Sequence, residues 1–298
     1  MSDTPGRRFR TALDQERPLQ IVGVINAYAA QQATQAGFRA LYLSGAGVAN
    51  ASYGLPDLGI TSLENVTEDA RRIAGVTALP LLVDADTGWG TALNIARVVR
   101  ELTRAGAAGM HLEDQVSAKR CGHRSGKMVV PAAEMVDRLK AALDARIEDS
   151  FVIMARTDAV ATEGLASGIE RALQYQQAGA DMLFAEALSD LDQYRRFAAA
   201  VKIPVLANIT EFGRTPLFTT AELREVGVRM VLYPLSAFRA MAAAAERVYA
   251  AIREQGTQAS VVEGMQSRAR LYEVLNYRHY EEMIDRLSAK EDGKREVS

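Results

Sequence analysis

Residues 178–187 read AGADMLFAEA, and this stretch decides the fold. It combines a glycine, Gly179, after a helix-like pattern, then a short apolar run, then an acidic residue, Glu186, where the run ends. Glycine commonly follows the last turn of a helix because it adopts a positive φ without steric cost. The stretch therefore predicts the end of a helix followed by a buried strand with a carboxylate at its carboxyl end.

The same pattern recurs along the chain. Gly37 in AGFRALYL, Gly106 in AGAAGMHL and Gly227 in VGVRMVLY each stand between a helical pattern and an apolar run. Apolar runs that alternate with helix-like segments are typical of βα units and a parallel sheet. The runs are eight in number and cover residues 19–25, 40–45, 79–86, 109–114, 151–158, 181–187, 204–210 and 229–234.

Eight such units, closed on themselves, form a (β/α)8 TIM-type barrel of the α/β class. An open doubly wound sheet is the alternative, but its first βα turn often carries a glycine-rich phosphate-binding pattern, which this sequence lacks there. We expect residues 1–298 to form a single domain, with extra C-terminal helices at about 235–287 and a polar tail at about 288–298. The extra helices favour packing against another subunit, with a lid over the barrel end as the alternative.

Composition and charge limit the kinds of partner. The chain is 48% hydrophobic and 24% charged, and its formal net charge of −2 argues against nucleic acid as a partner. The first twenty residues lack the apolar segment of a signal peptide, and no apolar run is long enough to span a membrane. One cysteine excludes an intramolecular disulfide and is compatible with a reducing compartment. We therefore expect a cytoplasmic protein that binds neither nucleic acid nor membranes.

Charged and polar side chains are concentrated where the predicted strands end. Barrel enzymes build their active sites on this face, so the pattern predicts a catalytic function. The alternative is that strands simply stop at polar residues. The residues at these strand ends are Ser44, Gly45, Asp84, Asp86, Glu113, Asp114, Arg156, Asp158, Glu186, Asn208, Thr210 and Tyr233.

Asp84 and Asp86 are two residues apart on a predicted strand, so their side chains should point to the same face. Two like charges held close together are unfavourable unless a cation or a proton neutralises them. Oxygen ligands without Cys or His favour Mg²⁺ or Mn²⁺ over Zn²⁺. With Asp57 and Glu113 nearby, the pattern predicts a metal site. The alternative is that one aspartate caps the next helix and the other pairs with a basic residue.

The connection after the fourth strand contains residues 119–127, KRCGHRSGK, with the only cysteine of the chain, Cys121. Lys119, Arg120 and His123 would favour the thiolate and attract an anionic substrate. Two roles remain open for the thiol, nucleophile or general acid. The role of Arg156 is also open: its guanidinium could pair with Glu186 or Asp158, or it could bind a substrate carboxylate.

Seven segments carry a resemblance to a known family. On these segments, from about Arg8 to Tyr280, the chain resembles the isocitrate lyase / phosphoenolpyruvate mutase superfamily, and within it the branch that cleaves 2-methylisocitrate. The cysteine segment is specific to the lyase branch, whereas isocitrate lyases share the segment but are longer. The segments are SGAG (44–47), YGLPDLG (53–59), VDADTGWG (83–90), LEDQ (112–115), KRCGHR (119–124), MARTDA (154–159) and LANITEFG (206–213).

The resemblance implies Mg²⁺-dependent cleavage of (2S,3R)-2-methylisocitrate, a tricarboxylate, to pyruvate and succinate in the methylcitrate route of propionate breakdown. It also implies a homotetramer in which a C-terminal helix is exchanged between paired subunits. Cleavage of isocitrate is the first alternative, and a lyase or decarboxylase for another 2-hydroxy or 2-oxo diacid is the second. The alternative that is not an enzyme is a barrel that binds a tricarboxylate without catalysis.

The resemblance further assigns roles to individual residues. It implies that Asp84 and Asp86 hold Mg²⁺, with Asp57 and Glu113 reaching the metal through water. Cys121 would be the general acid, and Tyr42 or a metal-linked carboxylate the base. Catalytic positions beside the thiol would be Lys119, Arg120 and His123. Substrate contacts would come from Ser44, Gly45, Ala46, Cys121, Gly122, Arg156, Glu186, Asn208, Thr210, Arg239 and Arg268.

Overall fold

A computed structural model describes residues 3–119, 122 and 126–295, with side chains described up to residue 288 in the last helix. The chain forms two compact units, Met1–Ala240 and Met241–Ser298. The first unit is a closed barrel of eight parallel strands, each paired with the next along the chain, and the eighth pairs with the first. The predicted (β/α)8 barrel is therefore confirmed.

All eight predicted strands are present, and each is shorter than the apolar run that predicted it. They are β1 (Leu19–Gly23), β2 (Ala40–Leu43), β3 (Leu81–Asp84), β4 (Gly109–Glu113), β5 (Val152–Thr157), β6 (Met182–Ala185), β7 (Val205–Asn208) and β8 (Met230–Tyr233).

Helices follow the strands and also precede the first one. They are α1 (Pro5–Gln15), α2 (Ala27–Gln35), α3 (Gly45–Gly47), α4 (Leu63–Ala74), α5 (Ala92–Arg104), α6 (Ala132–Asp144), α7 (Val160–Glu163), α8 (Leu165–Gln177), α9 (Leu191–Ala200), α10 (Thr220–Glu225), α11 (Ser236–Gln255), α12 (Arg268–Leu275) and α13 (Tyr277–Arg295). A π-helical turn, Val48–Ser52, follows α3, and a 3₁₀ turn, Ala259–Gly264, precedes α12. Within the described residues, none of these helices combines the length and apolar character needed to cross a membrane.

Two buried clusters divide the apolar side chains of the barrel. The larger cluster lies between strands and helices and includes Val98 on α5 and Leu139 on α6. The smaller one fills the barrel interior, with Leu82 on β3 and Met154 on β5, and it includes Phe9 of α1, which is fully buried. Alternate residues of each strand thus serve two cores, as the period-two geometry of a strand requires.

The second unit contains α12 and α13. Helix α13 continues to Arg295, past residue 288, where the sequence predicts the start of a polar tail. The segment 288–295 contains no proline to stop the helix, and alanine and charged residues with good helix propensity make up most of it.

The four repeated glycines all adopt positive φ angles, as the sequence pattern predicts: 87° at Gly37, 89° at Gly106, 105° at Gly179 and 86° at Gly227. Each follows a helix and turns the chain into the next strand. An L-residue with a Cβ atom is strained in this conformation.

Gly37 allows a test of this conformational requirement, because a Cβ atom there would meet no other atom within 4 Å. Gly37→Ala should lower the free energy of unfolding by about 1 kcal/mol through backbone strain alone. Gly37→Asn should cost less, since asparagine tolerates the left-handed region better. Urea denaturation of the three proteins measures the difference, and an equal loss for Ala and Asn would contradict the prediction.

Candidate active site

A cavity of about 300 Å³ lies at the carboxyl ends of the strands. The predicted site residues that line it come from the ends of five strands, from the connections after β2 and β4, and from α11. They are Tyr42, Ser44, Ala46, Asp57, Asp84, Lys119, Gly122, Arg156, Glu186, Asn208, Thr210 and Arg239. The cavity wall also includes residues that the sequence did not predict: Phe184, Glu211, Phe212, Gly213, Leu232, Pro234 and Leu235.

Three further predicted residues, Gly45, Asp86 and Glu113, lie directly behind this lining, where each contacts one of its members. Arg268 belongs to the second unit, where it is the exposed first residue of α12, and its substrate contact stays a prediction. The predicted catalytic residues Arg120, Cys121 and His123 lie outside the described residues.

The two aspartates converge beside Gly45. Asp84 ends β3, and its Oδ2 atom accepts a hydrogen bond of 3.0 Å from the Gly45 amide. Asp86 has left the strand, with a φ of 46°, so the premise that both lie on one strand is wrong. The turn nevertheless returns its carboxylate to the same place: a Cβ atom on Gly45 would lie 3.1 Å from Asp86 Oδ1 and 3.2 Å from Asp84 Oδ2. Glycine at position 45 therefore leaves room for both carboxylates.

Lys119 joins the connections that follow β2 and β4. Its Nζ atom lies 2.5 Å from Asp86 Oδ1 and 2.6 Å from Asp57 Oδ1, and its side chain is buried. Asp57 comes from the connection after β2 and Lys119 from the one after β4. The ion pairs therefore fix both connections to the end of β3.

Burial raises the pKa of Asp86 to about 7, the charge of Asp84 adds to this effect, and Lys119 opposes it. Burial also disfavours ionisation of Asp84, but His111, Lys119 and Arg156 together outweigh burial and hold its pKa below the usual range. Glu113 has a raised pKa, mainly because it is buried, and its Oε1 atom has no hydrogen-bond partner in the described part of the chain. Full ionisation of these carboxylates is therefore unfavourable without a further cation.

A divalent cation fits these residues. Among the described residues, no three Asp, Glu, His or Cys side chains form a ready-made cage for a metal ion. Mg²⁺ does not require one, because it usually takes one or two carboxylates and keeps several waters. Asp84 and Asp86 supply two converging carboxylates, and the unpartnered Glu113 oxygen is suited to accept a hydrogen bond from a metal-bound water.

Arg156 is paired with three carboxylates. Its Nε atom lies 3.0 Å from Asp158 Oδ2 and 3.3 Å from Glu113 Oε2, and its Nη2 atom lies 3.1 Å from Glu186 Oε2. The guanidinium also stacks over the ring of Phe184, 4.9 Å from its centroid. The structural pairing that the sequence left open is therefore present, and Arg156 still faces the cavity.

His111 is a site residue that the sequence analysis missed. It is fully buried on β4, and its Nε2 atom lies 2.8 Å from the hydroxyl oxygen of Tyr42, which donates to Asp84 Oδ2 at 3.3 Å. Burial lowers the pKa of His111 to about 4 and, helped by Asp84, raises that of Tyr42, so both groups are neutral at pH 7. The sequence did contain one signal for this residue: a histidine lies between two apolar residues in the strand GMHLE.

Removal of the Arg156 guanidinium tests how far the site depends on this cation. Arg156→Met leaves three buried carboxylates without their shared partner and should lower the free energy of unfolding by about 3–5 kcal/mol. The matched control is Arg97→Met, which removes an exposed pair with Glu64 and should change stability by less than about 1 kcal/mol. Denaturant titrations at pH 7 measure both, and equal losses would contradict the network described above.

Comparisons with known proteins agree with this geometry. The family model for phosphoenolpyruvate phosphomutase matches residues 9–253. The 2-methylisocitrate lyase of Escherichia coli (strain K12) is 60% identical, over 98% of this chain and 99% of that protein. The 2-methylisocitrate lyase of Shewanella oneidensis is 61% identical, over 96% and 98%.

The fold comparison points to the same group. The crystal structure of 2,3-dimethylmalate lyase, a member of the PEP mutase/isocitrate lyase superfamily, aligns with a TM-score of 0.88 at 32% identity, over 95% of each chain. Enzymes of this superfamily typically use a divalent metal. The chain therefore belongs to the phosphoenolpyruvate mutase/isocitrate lyase superfamily and, within it, to the family of 2-methylisocitrate lyases.

Proposed function

We propose that the chain catalyses the Mg²⁺-dependent cleavage of (2S,3R)-2-methylisocitrate to pyruvate and succinate in the methylcitrate cycle. The observation that carries this proposal is the convergence of Asp84 and Asp86 beside Gly45 at a cavity that also has a cationic and an apolar wall. The similarity to 2-methylisocitrate lyases over nearly the full length supports the same activity.

The cavity suits a small branched polyanion. Arg239, Asn208 and Thr210 offer hydrogen-bond donors for carboxylate oxygens. Phe184 and Leu232 supply an apolar wall, which favours a substrate that carries a methyl group. Both features support 2-methylisocitrate over a smaller diacid.

In the proposed site, Asp84 and Asp86 hold the metal, and Asp57 and Glu113 lie around it. Mg²⁺ is the preferred ion and Mn²⁺ the alternative, because the ligands are carboxylate oxygens. When bound, the ion acts as a Lewis acid that lowers the pKa of the substrate hydroxyl group. Lys119, paired with Asp57 and Asp86, keeps these two carboxylates in place.

The reaction begins when the substrate 2-hydroxyl group loses its proton. The C2–C3 bond then breaks, the oxygen electrons form the keto group of pyruvate, and the C2–C3 electron pair remains on C3. Cys121 protonates C3 and completes succinate, while the hydroxyl proton stays on the base. Transfer of a proton from the base to the thiolate through solvent then restores both groups. Tyr42 has a raised pKa that favours its phenol form, which makes a carboxylate near Asp84 the better candidate for the base.

The proposal extends to assembly and location. We infer a cytoplasmic homotetramer with a C-terminal helix exchanged between paired subunits. Exposed apolar side chains of the second unit support self-association, among them Tyr249, Ile284 and Leu287, with 72%, 62% and 58% of their surface exposed.

The decisive test compares substrates. With Mg²⁺, kcat/KM for 2-methylisocitrate should exceed that for isocitrate by about 10- to 200-fold, because the apolar wall distinguishes one methyl group. Excess EDTA should abolish both activities, and added Mg²⁺ should restore them. Pyruvate and glyoxylate are measured separately, and a higher kcat/KM for isocitrate would overturn the substrate assignment. Tight binding without turnover of either compound would instead favour the tricarboxylate-binding barrel.

A second test concerns the thiol. Cys121→Ser should lose most of kcat, at least about 100-fold, because a hydroxyl group is a weaker acid than a thiol. Succinate binding, measured by calorimetry, should be retained. An unchanged kcat would remove Cys121 from the mechanism.

A further inference from the structure

Lys127 is a buried cation that the proposed reaction does not use. Its side chain is 1% exposed, and that of its partner Asp158 is 0% exposed. The Nζ atom donates to Asp158 Oδ1 at 2.6 Å and to the carbonyl oxygen of Gly122 at 2.6 Å. A lysine is rarely buried to this extent unless its ammonium group has specific partners. One of these partners is a backbone atom of a cavity-lining residue.

Gly122 lies against the paired side chains of the cavity. A Cβ atom at this position would lie 2.4 Å from Arg156 Nη2 and 2.7 Å from both Cγ and Oε2 of Glu186. No side chain fits there without displacing the Arg156–Glu186 pair. The Gly122 backbone therefore occupies a defined place in the cavity wall, and its carbonyl group is fixed by Lys127.

The other end of this arrangement is anchored in the barrel. Asp158 follows β5, its amide donates to Asp114 Oδ1 at 2.9 Å, and its Oδ2 atom accepts from Arg156 at 3.0 Å. The base of the connection is closed by backbone hydrogen bonds, from Val116 to Met128 at 3.0 Å and from Val130 to Asp114 at 2.8 Å. Lys127 thus connects the fixed strand ends to Gly122.

We propose that Lys127 is a positioning residue of the cleavage reaction: its ammonium group, held by Asp158, fixes the Gly122 backbone at the cavity. The inference rests on the proposed function, because residue 121, the proposed acid, directly precedes Gly122. Consecutive Cα atoms are about 3.8 Å apart, so fixing one residue restricts the reach of its neighbour. Loss of this restraint lowers the rate of proton delivery without removing a group that binds substrate.

The experiment uses the full-length Mg²⁺-loaded enzyme and its single cysteine as a reporter. Lys127→Met preserves much of the side-chain volume and removes the hydrogen-bonding cation. We expect kcat to fall about 100-fold, as for a misplaced reacting group, with calorimetric affinities for Mg²⁺ and succinate within about threefold of wild type. Without ligands, the rate of iodoacetamide alkylation at Cys121 should rise about tenfold, because a charged hydrogen bond no longer holds the adjacent residue.

A second variant, Asp158→Asn, distinguishes the loss of Gly122 positioning from a change in local charge. The two substitutions change the local charge in opposite directions, so a purely electrostatic effect would shift the alkylation rate in opposite directions. Loss of positioning should raise the rate in both variants at the pH plateau of thiolate reactivity. The matched control is Lys140→Met on the exposed face of α6, which should behave as wild type.

A fallback variant and two further results also decide whether the inference holds. If Lys127→Met does not fold, Lys127→Met/Asp158→Asn removes both buried charges and should give the same changes in kcat and alkylation. An alkylation rate and a kcat equal to those of Lys140→Met would overturn the inference, as would a lower stability with unchanged kcat. If the wild type fails to cleave 2-methylisocitrate, the proposed function fails, but the alkylation rates still test the contact between Lys127 and Gly122.

Discussion

Buried negative charge is the constraint on which this site depends. At the cavity, six carboxylates lie in two groups of contacts, one around Lys119 and the other around Arg156 and Lys127. Their mutual repulsion disfavours the compact state unless each carboxylate keeps a close partner. A divalent cation would offset most of the remaining imbalance. The carboxylates are Asp57, Asp84, Asp86, Glu113, Asp158 and Glu186.

The parallel topology of the barrel brings these charged residues together. Because every strand runs in the same direction, all carboxyl ends meet at one mouth, and connections distant in sequence converge there. Arg156 on β5 reaches Glu113 on β4 and Glu186 after β6, so one guanidinium serves three neighbouring strands. The apolar interior below cannot accept these charges, which confines the chemistry to the mouth.

The sequence predicted the strands well because apolar runs and positive-φ glycines are local signals. It also identified most of the cavity lining, since polar residues at strand ends must meet in a closed parallel barrel. It did not predict the backbone turn at Asp86, which depends on the space left by Gly45. The contacts of Lys119 with Asp57 and of Lys127 with Asp158 escaped prediction because they join segments 62 and 31 residues apart.

Helix α1 packs at the opposite end of the barrel, where the strands begin. Helix α1 contributes Phe9 and Leu13 to the interior cluster, and it donates from Arg10 to Asp181, just before β6. The interior is therefore filled from the amino end up to the cavity floor. In the described part of the chain, the packed interior leaves the mouth as the route into and out of the cavity. For a cleavage that yields two products, both fragments then leave through the same opening by which the substrate entered.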